Sequence, residues 1–263
     1  MEKHDARSKK TLGELIQVYQ AIRHGLDAHV VGYEEFKNAL VLAHFKRTLG
    51  LRGHLLAFGP PGVAKTVGTK AMAALLGQAN GQPLYVRTSG RSDLMPEEFL
   101  AERVADYNEF GRLIFVYQLM TIGKVKSADH ALPMLWQLDE TDKIPPRTLH
   151  AFLELMEEGQ YTTPAGETIE LNFMLMSTAN TRAYDKAAQP IPVPVQDRYA
   201  AVVHNRYLDE KSDLAVLDLA INGETASSKA NIPSLPNADD IRFLREQIRI
   251  SGLPIEIPQV IRQ

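Results

Sequence analysis

The feature that most constrains this chain is an eight-residue segment between a short apolar run and a helical pattern. It reads Gly59, Pro60, Pro61, Gly62, Val63, Ala64, Lys65 and Thr66. This order fits the phosphate-loop pattern GxxxxGK[ST] at every fixed position except Ala64. In such a loop, backbone N–H groups surround phosphate oxygens, the lysine adds positive charge and the threonine hydroxyl reaches Mg²⁺. We therefore predict that these residues and Val67 bind a phosphate-containing ligand.

Ala64 stands where the pattern expects a glycine. It keeps the backbone N–H donor that the loop needs, and it costs on the order of 1 kcal/mol only if the position requires a left-handed backbone. Next to a helix start, alanine even favours the helix. The alternative interpretation is an ordinary strand, turn and helix, but the flanking patterns supply the context that the motif requires.

Three short apolar runs indicate buried strands, and polar or glycine-rich residues follow each of them. They are Leu55–Phe58, Met134–Leu138 and Phe173–Met176. Helical apolar spacing separates the runs and also precedes the first, from Leu12 onwards. Strands that alternate with helices predict an α/β fold, with a parallel sheet between helices and a ligand beyond the carboxyl ends of the strands.

Polar side chains follow the second and third runs, where such a sheet places its chemistry. Asp139 and Glu140 end the second run. Because side chains alternate along a strand, we expect Asp139 to hold Mg²⁺ through water and Glu140 to activate the attacking water. Asn180 follows the third run and is expected to orient that water. The alternatives are a solvated acidic loop and a turn-forming asparagine.

Composition excludes several other classes of site. The 263 residues include no cysteine, so neither a disulfide nor a thiolate metal site is available, and the eight histidines show no HExxH spacing. A formal net charge of −3 argues against nucleic acid as a partner. The polar amino terminus and the lack of a long apolar stretch lead us to expect a cytoplasmic protein without membrane contact.

Two further segments have local patterns of their own. Residues 160–171 predict a hairpin around Thr163-Pro164-Ala165-Gly166, an order typical of a type I turn, and this hairpin is a candidate contact surface. The pattern after Arg206 is helical, except for a loop-like stretch at Asn222–Asn237. We interpret this last part of the chain as a small helical second domain.

Taken in order, these residues resemble the MoxR family of AAA+ ATPases over Val30 to about Tyr207. Val30-Val31-Gly32-Tyr33-Glu34 is similar to the family's segment beside the adenine. The family usually carries alanine before the phosphate-loop lysine, as this chain does. Asp93-Leu94-Met95-Pro96 and Glu157-Glu158-Gly159-Gln160 match further family stretches in the expected places.

The resemblance implies a division of the chain and a set of ligands. It implies a P-loop AAA+ core over residues 1–207, with a helix-2 insert hairpin at about residues 160–171, and a small, shortened helical lid over residues 208–263. ATP and Mg²⁺ are the implied cofactors. Val31, Gly32, the phosphate loop and Asp139 would bind the nucleotide, and Thr66 and Asp139 would hold the metal.

The resemblance also implies an assembly and a task. Gln196-Asp197-Arg198-Tyr199 is similar to the family's Asp-Arg-Phe motif, which makes Arg198 an arginine finger for the nucleotide of a neighbouring subunit. The implied assembly is a homo-oligomer, a hexameric ring, that couples ATP hydrolysis to remodelling or maturation of a client protein. A protein with a von Willebrand factor A domain is an implied further partner.

Two departures from the family pattern leave alternatives open. Lys143 stands where the family has an arginine, and it is a poorer planar donor. The family's second sensor arginine falls beyond Gln263, so no residue is assigned to that role. The alternatives are a scaffold module that binds nucleotide with little hydrolysis, and a nucleic-acid-directed NTPase of the same fold. GTP also stays open beside ATP.

Overall fold

The fold alternates helices and short strands along the residues that the computed structural model describes, 2–79, 82–125, 132–221 and 232–251. The helices are α1 Glu2–Asp27, α2 Glu34–Thr48, α3 Lys65–Leu76, α4 Thr121–Val125, α5 Pro146–Glu158, α6 Val193–Gln196, α7 Glu210–Ile221 and α8 Ala238–Ser251. The strands are β1 Leu55–Phe58, β2 Gln78–Ala79, β3 Gln82–Pro83, β4 Tyr85–Ser89, β5 Ala101–Tyr107, β6 Leu113–Leu119, β7 Met134–Asp139, β8 Gln160–Thr162, β9 Thr168–Glu170, β10 Phe173–Ala179 and β11 Ala201–His204.

The centre of the fold is a five-stranded sheet with the order β11, β1, β10, β7, β4. Every neighbouring pair in it is parallel. The three predicted apolar runs are its three inner strands, so the predicted α/β fold with a parallel sheet is confirmed. Because parallel strands end at one edge of a sheet, the residues after β1, β7 and β10 come together there.

Alternating side chains of the inner strands pack into two apolar clusters on opposite faces of the sheet. Leu135 and Met174 pack with residues of α1, α2 and α3 on one face. Their neighbours Trp136 and Leu175 pack with residues of α4 and α5 on the other. Both faces are therefore covered by helices, which explains why these strands are apolar at almost every position.

The two edge strands of the sheet were not among the predicted runs. β4 reads Tyr-Val-Arg-Thr-Ser and is buried only in part, and β11 is a four-residue strand with one buried residue. An edge strand has fewer neighbours, so its sequence does not need the continuous apolar character that marked the inner strands.

Besides the short antiparallel pair of β2 and β3, two hairpins lie in the crossovers between core strands. The predicted hairpin is present as β8 and β9, and the Gly166 N–H donates to the Thr163 carbonyl at 2.8 Å across its turn. It lies in the third crossover, after α5. The second crossover, between β4 and β7, carries a longer hairpin made of β5 and β6. The assignment of the helix-2 insert to residues 160–171 stays a prediction.

The helices after the sheet have different surroundings. α8 packs against α1, and its Ile241 and Leu244 belong to the apolar cluster on that face of the sheet. The Arg245 guanidinium also donates to the Thr48 carbonyl at 2.7 Å. In the predicted loop at Asn222–Asn237, residues 222–231 lie outside the described part of the chain. Among the described helices, none combines the length and apolar character that crossing a membrane requires.

His44 and His54 are fully buried, and both are neutral near pH 7. The ring of His54 accepts the Leu175 N–H at Nδ1, 2.9 Å, and Nε2 lies 3.1 Å from the Met156 carbonyl. His44 bridges the Tyr19 hydroxyl and the Pro133 carbonyl. Burial lowers the pKa of His54 to about 3 and that of His44 to about 4.

We therefore expect the protein to lose stability in acid. Both folded-state pKa values lie below the unfolded value of about 6.5, so the unfolded chain gains protons first as the pH falls from 6.5 towards 4. The free energy of unfolding should drop by roughly 1.4 kcal/mol per pH unit for each histidine. Urea unfolding at a series of pH values measures the slope. His44→Gln should reduce it, whereas exposed His150→Gln should not; equal slopes in all three proteins would contradict the prediction.

Candidate functional site

The predicted phosphate loop joins β1 to α3, as its motif requires. Its lysine begins the helix and lies over the loop, where the ammonium group donates to the carbonyls of Gly59 and, at 2.8 Å, Pro60. Burial lowers the pKa of Lys65 to about 8, and the nearby carboxylates of Asp142 and Asp139 partly oppose that shift. The loop thus places one cation at the amino end of α3, where backbone N–H groups also favour an anion.

Backbone strain is concentrated around this loop. Among the described residues, three other than glycine have a left-handed backbone, namely Tyr33, Ala64 and Glu140, with φ of 55°, 55° and 52°. All three line the same cavity. Such a conformation costs roughly 1 to 2 kcal/mol per residue, and residues of this kind cluster at functional sites. The condition under which Ala64 carries a cost is therefore met.

The Asp139 carboxylate has hydrogen bonds to several side chains of the site, and its side chain is only 5% exposed. Its Oδ1 accepts hydrogen bonds from Gln137 Nε2 at 2.7 Å and from the Thr178 hydroxyl at 2.9 Å. The Thr66 hydroxyl lies 3.4 Å from the same oxygen. Its Oδ2 accepts from the Arg87 guanidinium, at 2.7 Å from Nε and 2.6 Å from Nη2.

Glu140 is placed by a turn and not by strand alternation. β7 ends at Asp139, and the left-handed backbone of Glu140 leads into a 3₁₀ turn. The expectation that side-chain alternation separates the two carboxylates is thus wrong in its mechanism, although both line the cavity. The Thr178 hydroxyl accepts the Glu140 N–H at 3.2 Å, and the Glu140 carboxylate pairs with Lys143 at 3.1 Å.

Asn180 follows β10 and also lines the cavity. Its backbone N–H donates to Asp142 Oδ1 at 2.8 Å, and Asp142 Oδ2 is buried without a hydrogen-bond partner. Burial raises the pKa of the Asp142 carboxyl above its usual range, and the bond from Asn180 acts in the opposite direction. The acidic turn after β7 therefore fixes the backbone at the end of β10.

These groups surround one cavity of about 590 Å³ beyond the carboxyl ends of the strands. Its lining includes the following predicted site residues: Val31, Pro61, Gly62, Val63, Ala64, Lys65, Thr66, Val67, Asp139, Glu140 and Asn180. Of the other predicted residues, Gly32, Gly59 and Pro60 are not among the described lining residues. Tyr207, Leu208 and Val216 also line the cavity, as do His29, Val30 and Tyr33.

Arg198 lies apart from the lining of this cavity. Its guanidinium pairs with Glu157 of α5 at 2.5 Å, and its buried Nε has no hydrogen-bond partner. A residue that acts on a neighbour's nucleotide should not line its own pocket, so this position is compatible with the predicted role.

The oxygen ligands present fit Mg²⁺ bound together with a nucleotide. Within the described part of the chain, no cluster of three acidic or histidine side chains forms a metal site on its own. Mg²⁺ usually keeps several waters and takes one or two protein oxygens beside phosphates, so the hydroxyl of Thr66 and the carboxylate of Asp139 are sufficient. Both face the cavity from adjoining elements.

Comparison with known proteins decides the family. The profile of the ATPase family associated with various cellular activities (AAA) matches residues 54–201, more than half of the chain. The chain belongs to this family. The matched span begins just before β1 and ends at the first residue of β11, so it holds the other four strands of the central sheet and the phosphate loop of this AAA ATPase.

Individual relatives of the AAA ATPase are distant. The uncharacterised protein YeaC of Bacillus subtilis (strain 168) is 25% identical over 81% of the chain and 62% of its own length. Chaperone MoxR1 of Mycobacterium tuberculosis (strain ATCC 25618 / H37Rv) is 26% identical over 63% of the chain and 40% of its own length. The predicted MoxR resemblance is thereby confirmed, and the chain spans less than two thirds of either relative.

A solved structure supports the fold. The crystal structure of a proposed ATPase from Cytophaga hutchinsonii ATCC 33406 superposes with a TM-score of 0.64. It is 22% identical and covers 95% of this chain and 68% of its own. At that identity the match concerns the architecture, which is the α/β P-loop core with its flanking helices.

Three residues of the site were missed by motif reasoning. Arg87 and Thr178 contact Asp139, and Asn205, after β11, donates from Nδ2 to the Val63 carbonyl at 3.1 Å in the phosphate loop. Thr178, two residues before Asn180, is a weak signal in the sequence. Arg87 lies on one edge strand and Asn205 follows the other, so only the strand order brings them to Asp139 and to the phosphate loop.

We expect Ala64→Gly to stabilise the protein. Glycine removes the cost of a left-handed backbone, roughly 1 to 2 kcal/mol. It also makes the unfolded chain more flexible, which lowers the free energy of unfolding by about 0.4 to 1 kcal/mol. The free energy of unfolding, measured in urea, should rise by about 0.5 to 1 kcal/mol. Ala74→Gly, at an exposed position within α3, is the control and should lower it by about 1 kcal/mol. A similar loss in both variants would contradict the strain at Ala64.

Proposed function

We propose that this AAA ATPase binds Mg·ATP in the cavity and hydrolyses it within a ring that remodels a partner protein. One observation carries the proposal: Lys65, Glu140 and Asn180 reach the same cavity from the ends of three neighbouring strands. A phosphate cradle, a carboxylate and a neutral hydrogen-bonding side chain in one place are what phosphoryl transfer to water requires.

Each group has a role in the proposed reaction. Thr66 and Asp139 would hold Mg²⁺, which neutralises charge on the phosphates when bound, and Lys65 would bind phosphate oxygens. Glu140 accepts a proton from the attacking water, and the Asn180 amide orients that water. Glu140 can act as a base only after Lys143 has released its carboxylate, because the ion pair occupies an oxygen that would accept the proton. Val31 would lie beside the base of the nucleotide, with Tyr33 and Tyr207 near it.

The proposed ring rests on Arg198. Its guanidinium is held by Glu157 on the surface of α5, away from its own cavity, and 28% of the side chain is exposed. Supplied to a neighbour's nucleotide, such a cation raises the rate of phosphoryl transfer by roughly 10³ to 10⁵. A hexamer is the assembly that we propose, with the division into a core over residues 1–207 and a lid over residues 208–263.

The proposed task follows from the family. MoxR1 is named a chaperone, which supports remodelling or maturation of a client protein, and a partner with a von Willebrand factor A domain is part of the same proposal. A cytoplasmic location stays a prediction. The formal net charge of −3 gives no support to a nucleic-acid-directed NTPase.

A second candidate is a module that binds nucleotide with little hydrolysis. It is favoured by the ion pairs that occupy both acidic side chains of the site, Arg87 with Asp139 and Lys143 with Glu140. If these pairs persist when nucleotide is bound, neither carboxylate is free for its catalytic role.

Hydrolysis measured against protein concentration tests the proposal. We expect Mg²⁺-dependent turnover that rises faster than linearly with concentration. Glu140→Gln should lower it by about 10² to 10⁴ and Arg198→Ala by about 10³ or more. Arg52→Ala is the control, since Arg52 also approaches Glu157, at 3.9 Å, and lies outside the proposed machinery. Tight ATP binding without turnover at any concentration would favour the second candidate.

Mixing the two inactive variants tests whether Arg198 acts between subunits. An interface that pairs Glu140 of an Arg198→Ala subunit with Arg198 of a Glu140→Gln subunit has both groups intact. We therefore expect the mixture to regain activity that neither variant has alone. No recovery in subunits shown to mix would indicate that Arg198 does not serve a neighbour's site.

A further inference from the structure

Arg87 is a cation inside the nucleotide cavity that no motif predicts. It lies on β4, the edge strand, beside Gln137 of β7 in the parallel register. Its guanidinium contacts Asp139 through two nitrogens, and the side chain is 43% exposed towards the cavity that it lines. Its guanidinium is therefore paired with a buried carboxylate and is still accessible to a ligand in the cavity.

The contact with Arg87 occupies the second carboxylate oxygen of Asp139. Gln137 and Thr178 both donate to Oδ1, and the Gln137 amide is fixed in that orientation because its oxygen accepts the Tyr85 hydroxyl at 2.6 Å. Arg87 takes Oδ2. A divalent cation that approaches Asp139, directly or through water, must therefore compete with this guanidinium.

When phosphates are present, Arg87 has a second partner that it can bind in place of Asp139. Arg87 and Lys65 line one cavity, so a long, half-exposed side chain can move its guanidinium from Asp139 towards a phosphate by rotation of its own bonds. A guanidinium binds phosphate oxygens in the same forked geometry in which it binds a carboxylate. The metal then neutralises Asp139 in its place, so no buried charge is left unpaired.

We propose that Arg87 is a second phosphate-binding cation of this site, which Mg²⁺ releases from Asp139 when a nucleotide enters. This inference rests on the proposed function, because it takes Asp139 as the side chain that holds Mg²⁺ beside ATP. It adds an arginine that acts within its own subunit, in contrast to Arg198. It also predicts that the benefit of Mg²⁺ for nucleotide binding depends on Arg87.

A purely structural role for Arg87 is the competing explanation. In that case the guanidinium only compensates the charge of Asp139, bound Mg²⁺ takes over that task, and loss of Arg87 weakens nucleotide binding only without Mg²⁺. A cation that changes partners gives a different pattern. Its loss weakens binding in the absence of Mg²⁺, where the uncompensated Asp139 repels the triphosphate. It also weakens binding with Mg²⁺ bound, because the contact between the guanidinium and the phosphates is then missing.

Binding of a fluorescent ATP analogue, measured in EDTA and in saturating Mg²⁺, separates the two explanations. For Arg87→Gln we expect the Kd to rise by roughly ten- to hundredfold with Mg²⁺, the value of a charged hydrogen bond, and by more in EDTA. Arg91→Gln is the matched control, because Arg91 pairs with Asp93 on the surface of the same crossover. Arg87→Lys, which keeps the charge, should lie between Arg87→Gln and the wild type.

Asp139→Asn supplies a second, opposite test. Removal of the carboxylate frees Arg87, so Mg²⁺-free binding should tighten. In the Asp139→Asn background, Arg87→Gln should still weaken Mg²⁺-free binding, because the freed guanidinium contacts the phosphates, whereas a cation that only compensates Asp139 would have no effect there. No effect of Arg87→Gln in the Asp139→Asn background, or an Arg87→Gln variant that binds the nucleotide in Mg²⁺ like Arg91→Gln, would overturn the inference alone. A wild-type protein that binds no nucleotide in either condition would overturn the proposed function as well.

Discussion

The buried carboxylate of Asp139 is the charge around which the cavity is arranged. A carboxylate removed from water is costly unless donors and an opposite charge surround it. Here Gln137 donates from the same strand, Thr178 from β10 and Arg87 from β4. Thr178 and Arg87 reach Asp139 only because β10, β7 and β4 are neighbours in this order and their carboxyl ends lie together. The geometry of the site therefore depends on the strand order of the sheet.

Close backbone contacts hold that edge together. The Gly90 N–H donates to the Asp139 carbonyl at 2.7 Å, and a Cβ on Gly90 would lie 2.3 Å from the Glu140 carbonyl oxygen. No other residue fits between the ends of β4 and β7. The same tight edge accounts for the left-handed backbone of Glu140, whose strain is maintained by the surrounding bonds to Thr178 and Lys143.

Three cations of the site have partners within the chain. Lys65 is bound to carbonyls of its own loop, Lys143 to Glu140 and Arg87 to Asp139. Each of these contacts satisfies a charge that a nucleotide and its metal would otherwise meet. Under the proposed function, binding of a nucleotide and its metal is an exchange of partners, and its free energy is the difference between two sets of ion pairs.

The sequence by itself determined the inner strands, the phosphate loop and the acidic pair. These depend on local chemistry: continuous apolar runs, a glycine-rich turn before a helix, and carboxylates at a strand end. Tertiary structure decided the edge strands, the partners of Asp139 and the backbone of Glu140. Arg87 carries no local pattern, since its contact with Asp139 spans two strands that are distant in sequence. Only the strand order, which follows from packing both faces of the sheet, makes it part of the site.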